Sequence, residues 1–117
     1  MPRGKSSPGS DWDLAKKLAL ALPEIEEGTS YGTPALKLKK KLLARLWEDG
    51  ETLVVKLDFD LKEALLAAEP DTFFTTPHYE GYPSVLIRLS RIAPARLEEL
   101  LVEAWRIAAP PRLRAGH

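Results

Sequence analysis

The sequence predicts an α+β domain: two layers, with a mostly antiparallel sheet and helices on one face. Three observations lead there. Hydrophobic spacing switches from helical to alternating and back, in the order helix, three or four strands, helix, two strands, helix. Neighbouring strands are joined by short turn signals, which favours antiparallel pairing. Three amphipathic helices need an apolar partner, and one face of such a sheet supplies it.

The elements follow in order. Ser10 and Asp13 have the spacing of a capping box. Behind them Ala15, Leu18, Ala19 and Leu22 recur at helical spacing until Pro23, so the first helix is expected over residues 11–22. A weaker strand is expected over residues 26–30, among the bend signals Gly28, Gly32 and Pro34. Leu36-Lys37-Leu38-Lys39 alternates as a strand, and residues 42–47 form the next. Glu48-Asp49-Gly50 signals a hairpin into a β-branched strand over residues 52–57. Asp58 or Asp60 caps a helix whose face is Leu61, Ala64, Leu65 and Ala68. Strands are expected over residues 72–75 and 84–89. Pro94 suits the first position of the last helix, with Leu97, Leu100, Leu101, Ala104, Trp105 and Ala108 on its face. Pro110-Pro111 ends it.

The chain has 117 residues, enough for one core and one domain. Residues 1–10 are expected as a disordered leader, 11–110 as the domain, and 111–117 as a flexible tail. With 44% hydrophobic and 29% charged residues, the composition is that of a globular protein. No apolar run reaches transmembrane length, and no secretory h-region follows the basic start. With no cysteine in the sequence, disulfides, thiolate metal sites and cysteine nucleophiles are excluded, and a cytoplasmic setting is expected. Lys+Arg and Asp+Glu balance at 17 each, which argues against a general polyanion coat but not against a local patch.

Alternation predicts what an open sheet face would carry. Leu36, Leu38, Leu53, Val55, Leu57, Val85, Ile87 and Leu89 are expected inside. The outward set is then Lys37, Lys39, Arg45, Lys56 and Arg88, with Val54 and Leu86 between them. Residues 42–48 are ambiguous; burying Leu42, Ala44 and Leu46 exposes Leu43, Arg45 and Trp47. Lys40 and Lys41 extend the set at a turn, and it contains no carboxylate. Basic side chains around an aromatic ring are what a nucleic-acid surface uses, with cations for phosphate and a ring for stacking. Lysines on exposed strands also serve solubility and block edge pairing.

Catalysis needs a titratable group beside a partner. His78 is the one internal histidine, and His117, at the end of the sequence, is expected to be mobile. No histidine pair at metal spacing, no phosphate loop and no nucleophile elbow is present. Asp58 and Asp60 read as caps, Glu24, Glu26 and Glu27 as solvated, and nothing near Ser30-Tyr31 would activate their hydroxyls. The expectation is therefore no enzyme, no cofactor and no metal. The stretch "TTPHYEGYP", residues 75–83, connects two strands. Pro77 and Pro83 stiffen it, and His78, Tyr79 and Tyr82 make it either a packed connection or a recognition patch. Trp12 and Trp105 are expected in the core.

The blocks "EGTSYGTPA" and "TPHYEGYP", with the last helix through "VEAWRIAAP", resemble the YjbR/MmcQ family over nearly all of the ordered chain. The resemblance implies a compact α-β(3)-α-β(2)-α domain, topologically like secretion chaperones. It also implies the DNA binding commonly described for that family, with no catalytic residues to carry over. Members often have glycine before the lysine that opens the third strand; here Lys40 precedes Lys41, which questions any turn needing positive φ at residue 40. The expected function is DNA binding through Lys37, Lys39, Lys40, Lys41, Arg45, Lys56 and Arg88, with Trp47, His78, Tyr79 and Tyr82 contacting bases. The partners expected are DNA, no membrane, and at most a weak homodimer. Two alternatives stand beside it. One is a protein-interaction or chaperone-like module. The other is a small-ligand site around Tyr31, His78 and Tyr82.

Overall fold

The computed structural model describes residues 9–115. Residues 1–8 of the expected leader, and 116–117 of the expected tail, lie outside the described residues. The elements are α1 (Trp12–Leu20), β1 (Ile25–Ser30), β2 (Thr33–Leu38), β3 (Lys41–Leu46), β4 (Thr52–Lys56), α2 (Phe59–Ala68), β5 (Phe73–Phe74), β6 (Ser84–Arg88), α3 (Pro94–Ala108) and α4 (Pro111–Ala115). The strands form one six-stranded sheet in the order β1-β2-β3-β4-β6-β5, every pair antiparallel. Helices α1 and α3 pack together on one face, and α2 packs by β5 and β6.

The core lies between the sheet and these helices. Leu36, Ala44, Leu53, Val55, Val85 and Ile87 point into it from the strands, and Ala15, Ala19, Leu97, Leu101 and Trp105 from the helices. Trp105 is fully buried, and its Nε1 donates to the Pro23 carbonyl at 2.9 Å, which ties α3 to the chain between α1 and β1. Trp12 is half-buried against the same core.

Local chemistry explains the ends. Asp11 caps α1 by accepting from the Leu14 amide, so the expected Ser10 cap is not the one used. Ser10 instead docks the chain. Its amide donates to Leu89 O and its hydroxyl to Ile92 O, both at 2.7 Å. Gly9 is needed for that approach, since a Cβ there would lie 2.4 Å from the Ser90 carbonyl oxygen. Residues 9 and 10 of the expected leader are therefore part of the packed structure. Asp58 caps α2 through the Leu61 amide, and Pro94 opens α3. The segment expected as a tail carries α4, from which Leu113 packs against the core.

Two-residue turns join β1 to β2 and β2 to β3. Tyr31 and Gly32 have φ of 54° and 79°, and Lys39 and Lys40 have 50° and 74°. Both central residues of each turn are left-handed, the twist that matches paired strands. Lys40 thus holds the positive φ without glycine. Lys40→Gly is expected to raise stability by about 0.5 to 1 kcal/mol, because it relieves left-handed strain but gives back unfolded-state entropy. A urea midpoint no higher than the parent's would refute this.

The face opposite the helices is not open as expected. A bulge shifts the register between β2 and β3: Leu36 faces Ala44, but Lys37 faces Leu42. Leu43 is the extra residue and joins Ala44 in the core, while Leu42 turns to the other side. From Ala44 onward alternation resumes, so Arg45 lies outward beside Ala35 and Val54. Ala35, Arg45, Val54 and Leu86 are nevertheless all buried. The connection over residues 75–83 folds back across this face, as its contacts with Arg45 show. The outward row also holds a carboxylate, because Glu26 on β1 faces Lys37 directly.

Candidate binding cleft

Arg45 is the centre of the covered face. Only 4% exposed, its Nη1 donates to Thr33 Oγ1 at 3.1 Å, Leu46 O at 3.4 Å and Glu48 Oε2 at 3.3 Å. Its Nη2 donates to the Tyr79 hydroxyl at 2.7 Å. Its Nε, also buried, has no hydrogen-bond partner among the described residues. Burial works against the charge, but the Tyr79 hydroxyl and the Glu48 carboxylate outweigh it and hold the guanidinium above its ordinary pKa.

Around Arg45 opens a cleft of about 260 Å³ lined by Tyr31, Arg45, Trp47, Glu48, Thr76, His78 and Tyr79. Each wall has its own support. The β1–β2 turn holds the Tyr31 ring 5.1 Å from the Arg45 guanidinium. Trp47 is set by the β3–β4 hairpin. There Asp49 accepts from the Glu51 and Thr52 amides at 2.9 Å and from the Thr52 hydroxyl at 2.7 Å, and Trp47 N donates to Thr52 O. Burial alone would raise the Asp49 carboxyl, but these donors hold it below its ordinary value. Trp47 also meets Phe74 edge-on at 5.9 Å. His78 packs edge-on against Tyr79 at 4.8 Å.

The covering loop is held from its other side by Lys62. This α2 side chain is 3% exposed, and its Nζ donates to the carbonyls of Tyr79 at 2.7 Å and Tyr82 at 2.6 Å, with Glu80 at 3.5 Å. Burial pushes its pKa below the ordinary lysine value, and the Glu80 and Glu63 carboxylates push back. The predicted α2 face of Leu61, Ala64, Leu65 and Ala68 missed it. Leu65 is buried as expected, whereas Ala64 and Ala68 are exposed.

The other expected site residues divide into groups. Arg45, Trp47, His78 and Tyr79 meet in the cleft, joined by Tyr31, while Tyr82 stays outside it, 57% exposed, with its ring 6.2 Å from that of His78. Lys39, Lys40 and Lys41 lie at the β2–β3 end of the sheet, where Lys56 also ends β4. Lys37 is half-buried, its stem against Gly28. Lys39 is paired with Glu24 at 3.0 Å, and that bond holds the Glu24 carboxyl below its ordinary value. Arg88 lies toward the opposite end, across from Thr52, its guanidinium 4.1 Å from the Phe74 ring centre. The expected single basic face is therefore two separate ends with a buried arginine between them.

A six-stranded antiparallel sheet with helices packed on it, and a loop-covered cleft on the far side, defines a small α+β domain. The same fold occurs in the crystal structure of Deinococcus radiodurans protein DR2400, a DUF419 domain. The two align with a TM-score of 0.73 at 20% identity, over 93% of this chain and 88% of the other. The chain belongs to the YjbR family, whose model matches residues 20–107. Uncharacterised proteins of Mycobacterium bovis and Mycobacterium tuberculosis are 37% identical over 107 residues, covering 88% of this chain and 75% of theirs. Among the described residues, no helix is long and apolar enough to cross a membrane.

Proposed function

We propose that this chain is a non-enzymatic nucleic-acid-binding domain whose phosphate contacts lie at the β2–β3 end of the sheet, not across its middle. The observation that carries this reading is the grouping of Lys40, Lys41 and Lys56. All three are exposed, they lie at one end of adjacent strands, and none has an ion-pair partner among the described residues. Lys37 is the fourth cation within reach. Arg45 is nearly buried beside the Glu48 carboxylate, Lys39 is ion-paired with Glu24 and Arg88 lies toward the far end, so these three leave the phosphate-binding set.

Four contacts give modest, salt-sensitive affinity. The slope of log K against log salt would be about −3 to −4, a loss of about a hundredfold between ~50 and ~200 mM. The test is a titration against duplex and single-stranded DNA at both concentrations. Lys40→Glu with Lys41→Glu is expected to weaken binding at least tenfold at low salt. Equal binding by this variant, or none by the parent at low salt, would sink the reading. A stable dimer in sedimentation that covers the three lysines would favour the interaction-module alternative.

A further inference from the structure

Arg45 is incompletely explained as a structural strut. Three bonds from Nη1 brace the turn and the hairpin, and the unpaired Nε is sealed from solvent, but Nη2 has one acceptor for two hydrogens. The carboxylate beside it, Glu48, has a 60% exposed side chain, so the buried cation is only partly compensated. An aliphatic residue at this position would simply continue the apolar row of Ala35, Val54 and Leu86. A buried polar group left half-satisfied is costly to keep, and a ligand that completes it is a reason to keep it.

The walls point the same way. Tyr31 is 77% exposed, yet its backbone takes a left-handed conformation that bulky residues avoid, and this turn holds the ring over Arg45. Trp47 and His78 supply two further ring surfaces. A volume of about 260 Å³ is just below the usual range for ligand sites and leaves room for no more than one planar ring system.

The polar groups select the ring. Arg45 offers the remaining Nη2 hydrogen, and the Glu48 carboxylate lies against the same guanidinium, 3.3 Å from Nη1. A negative carboxylate in the wall disfavours a simple anion. A donor beside an acceptor complements an edge that presents an acceptor beside donors. Guanine presents O6 next to N1–H and the N2 amino group. We propose that the cleft binds a purine ring, guanine by preference, between Tyr31, Trp47 and His78, with O6 on Arg45 and the N1–H and N2 donors on Glu48. The ring can come from a free nucleotide or from an unstacked base of a single strand. The proposal does not depend on the lysine end.

Nuclear magnetic resonance on the labelled full chain tests it, with GMP, AMP and ribose 5-phosphate as probes. GMP is expected to shift the signals of Tyr31, the Trp47 indole, His78 and Tyr79, while ribose 5-phosphate leaves them in place. Tyr31→Ser changes an exposed side chain and is expected to weaken GMP about tenfold, the effect of losing one stacking surface. Glu48→Gln is expected to erase the preference for GMP over AMP. A thymine octamer with and without one central guanine identifies the source, since a response to the guanine strand alone assigns the site to single strands. No response to GMP at about 10 mM nor to the guanine-containing strand, a response to ribose 5-phosphate equal to that of GMP, or unchanged binding by Tyr31→Ser overturns the proposal. Lys40→Glu with Lys41→Glu leaves GMP binding intact, so failure here is separate from failure of phosphate contact.

Discussion

Lys62→Met is expected to lower stability by about 3 kcal/mol, or about 10 °C in melting temperature. The physical cause is specific. Methionine fills similar space, but it leaves the Tyr79 and Tyr82 carbonyls without the ammonium that now binds them at 2.7 and 2.6 Å. Hydrogen bonds to a charged donor contribute about 1.5 to 3 kcal/mol each, and the cost of burying the ammonium offsets part of that. The change should be local as well as global. Amide exchange over residues 75–83 should speed up, while α1 and α3 keep their order. A urea midpoint within error of the parent's would show that the loop is held by its own packing.

Trp105→Ala is expected to cost about 4 kcal/mol, the range for an aromatic removed from a filled core. Trp105→Phe separates the two parts of that cost. It keeps most of the ring volume and removes the Nε1 bond to Pro23, so it should lose only about 1 to 2 kcal/mol. Chemical denaturation of both variants checks this. Similar losses in the two would assign the effect to the hydrogen bond, and a near-zero loss for phenylalanine would assign it to volume.

Much of the fold was legible because local rules and global packing agree. Asp58, Pro94 and the Asp49-Gly50 hairpin lie where capping and turn chemistry put them. The apolar stripe of α3 met the core as its spacing predicts. The second sheet face was misread as open, although a signal was present. Leu53-Val54-Val55 and Val85-Leu86-Ile87 are continuous apolar runs, the pattern of strands covered on both sides. The bulge at Leu43 was not legible, because alternation assumes an unbroken ladder. Lys62 and Arg45 were hidden for a different reason. A buried cation has the same letter as a solvated one, and its partners lie 17 and 34 residues away, at Tyr79.

The site was legible in part. Tyr31 and His78 do share a cleft, but Tyr79 stands where Tyr82 was expected. Arg45 was assigned to phosphate from its strand position alone. The deciding fact, a loop folded back over it, comes from the β5–β6 connection and not from β3.

Lys62 grips that loop by main-chain oxygens, which every amino acid carries. Replacing Pro77, His78, Glu80 or Gly81 leaves those bonds to the Tyr79 and Tyr82 carbonyls chemically available. The anchor is thus indifferent to the loop's spelling, provided its length and path persist. Substitutions in the loop can therefore change the side chains over the cleft while Lys62 keeps the backbone in place.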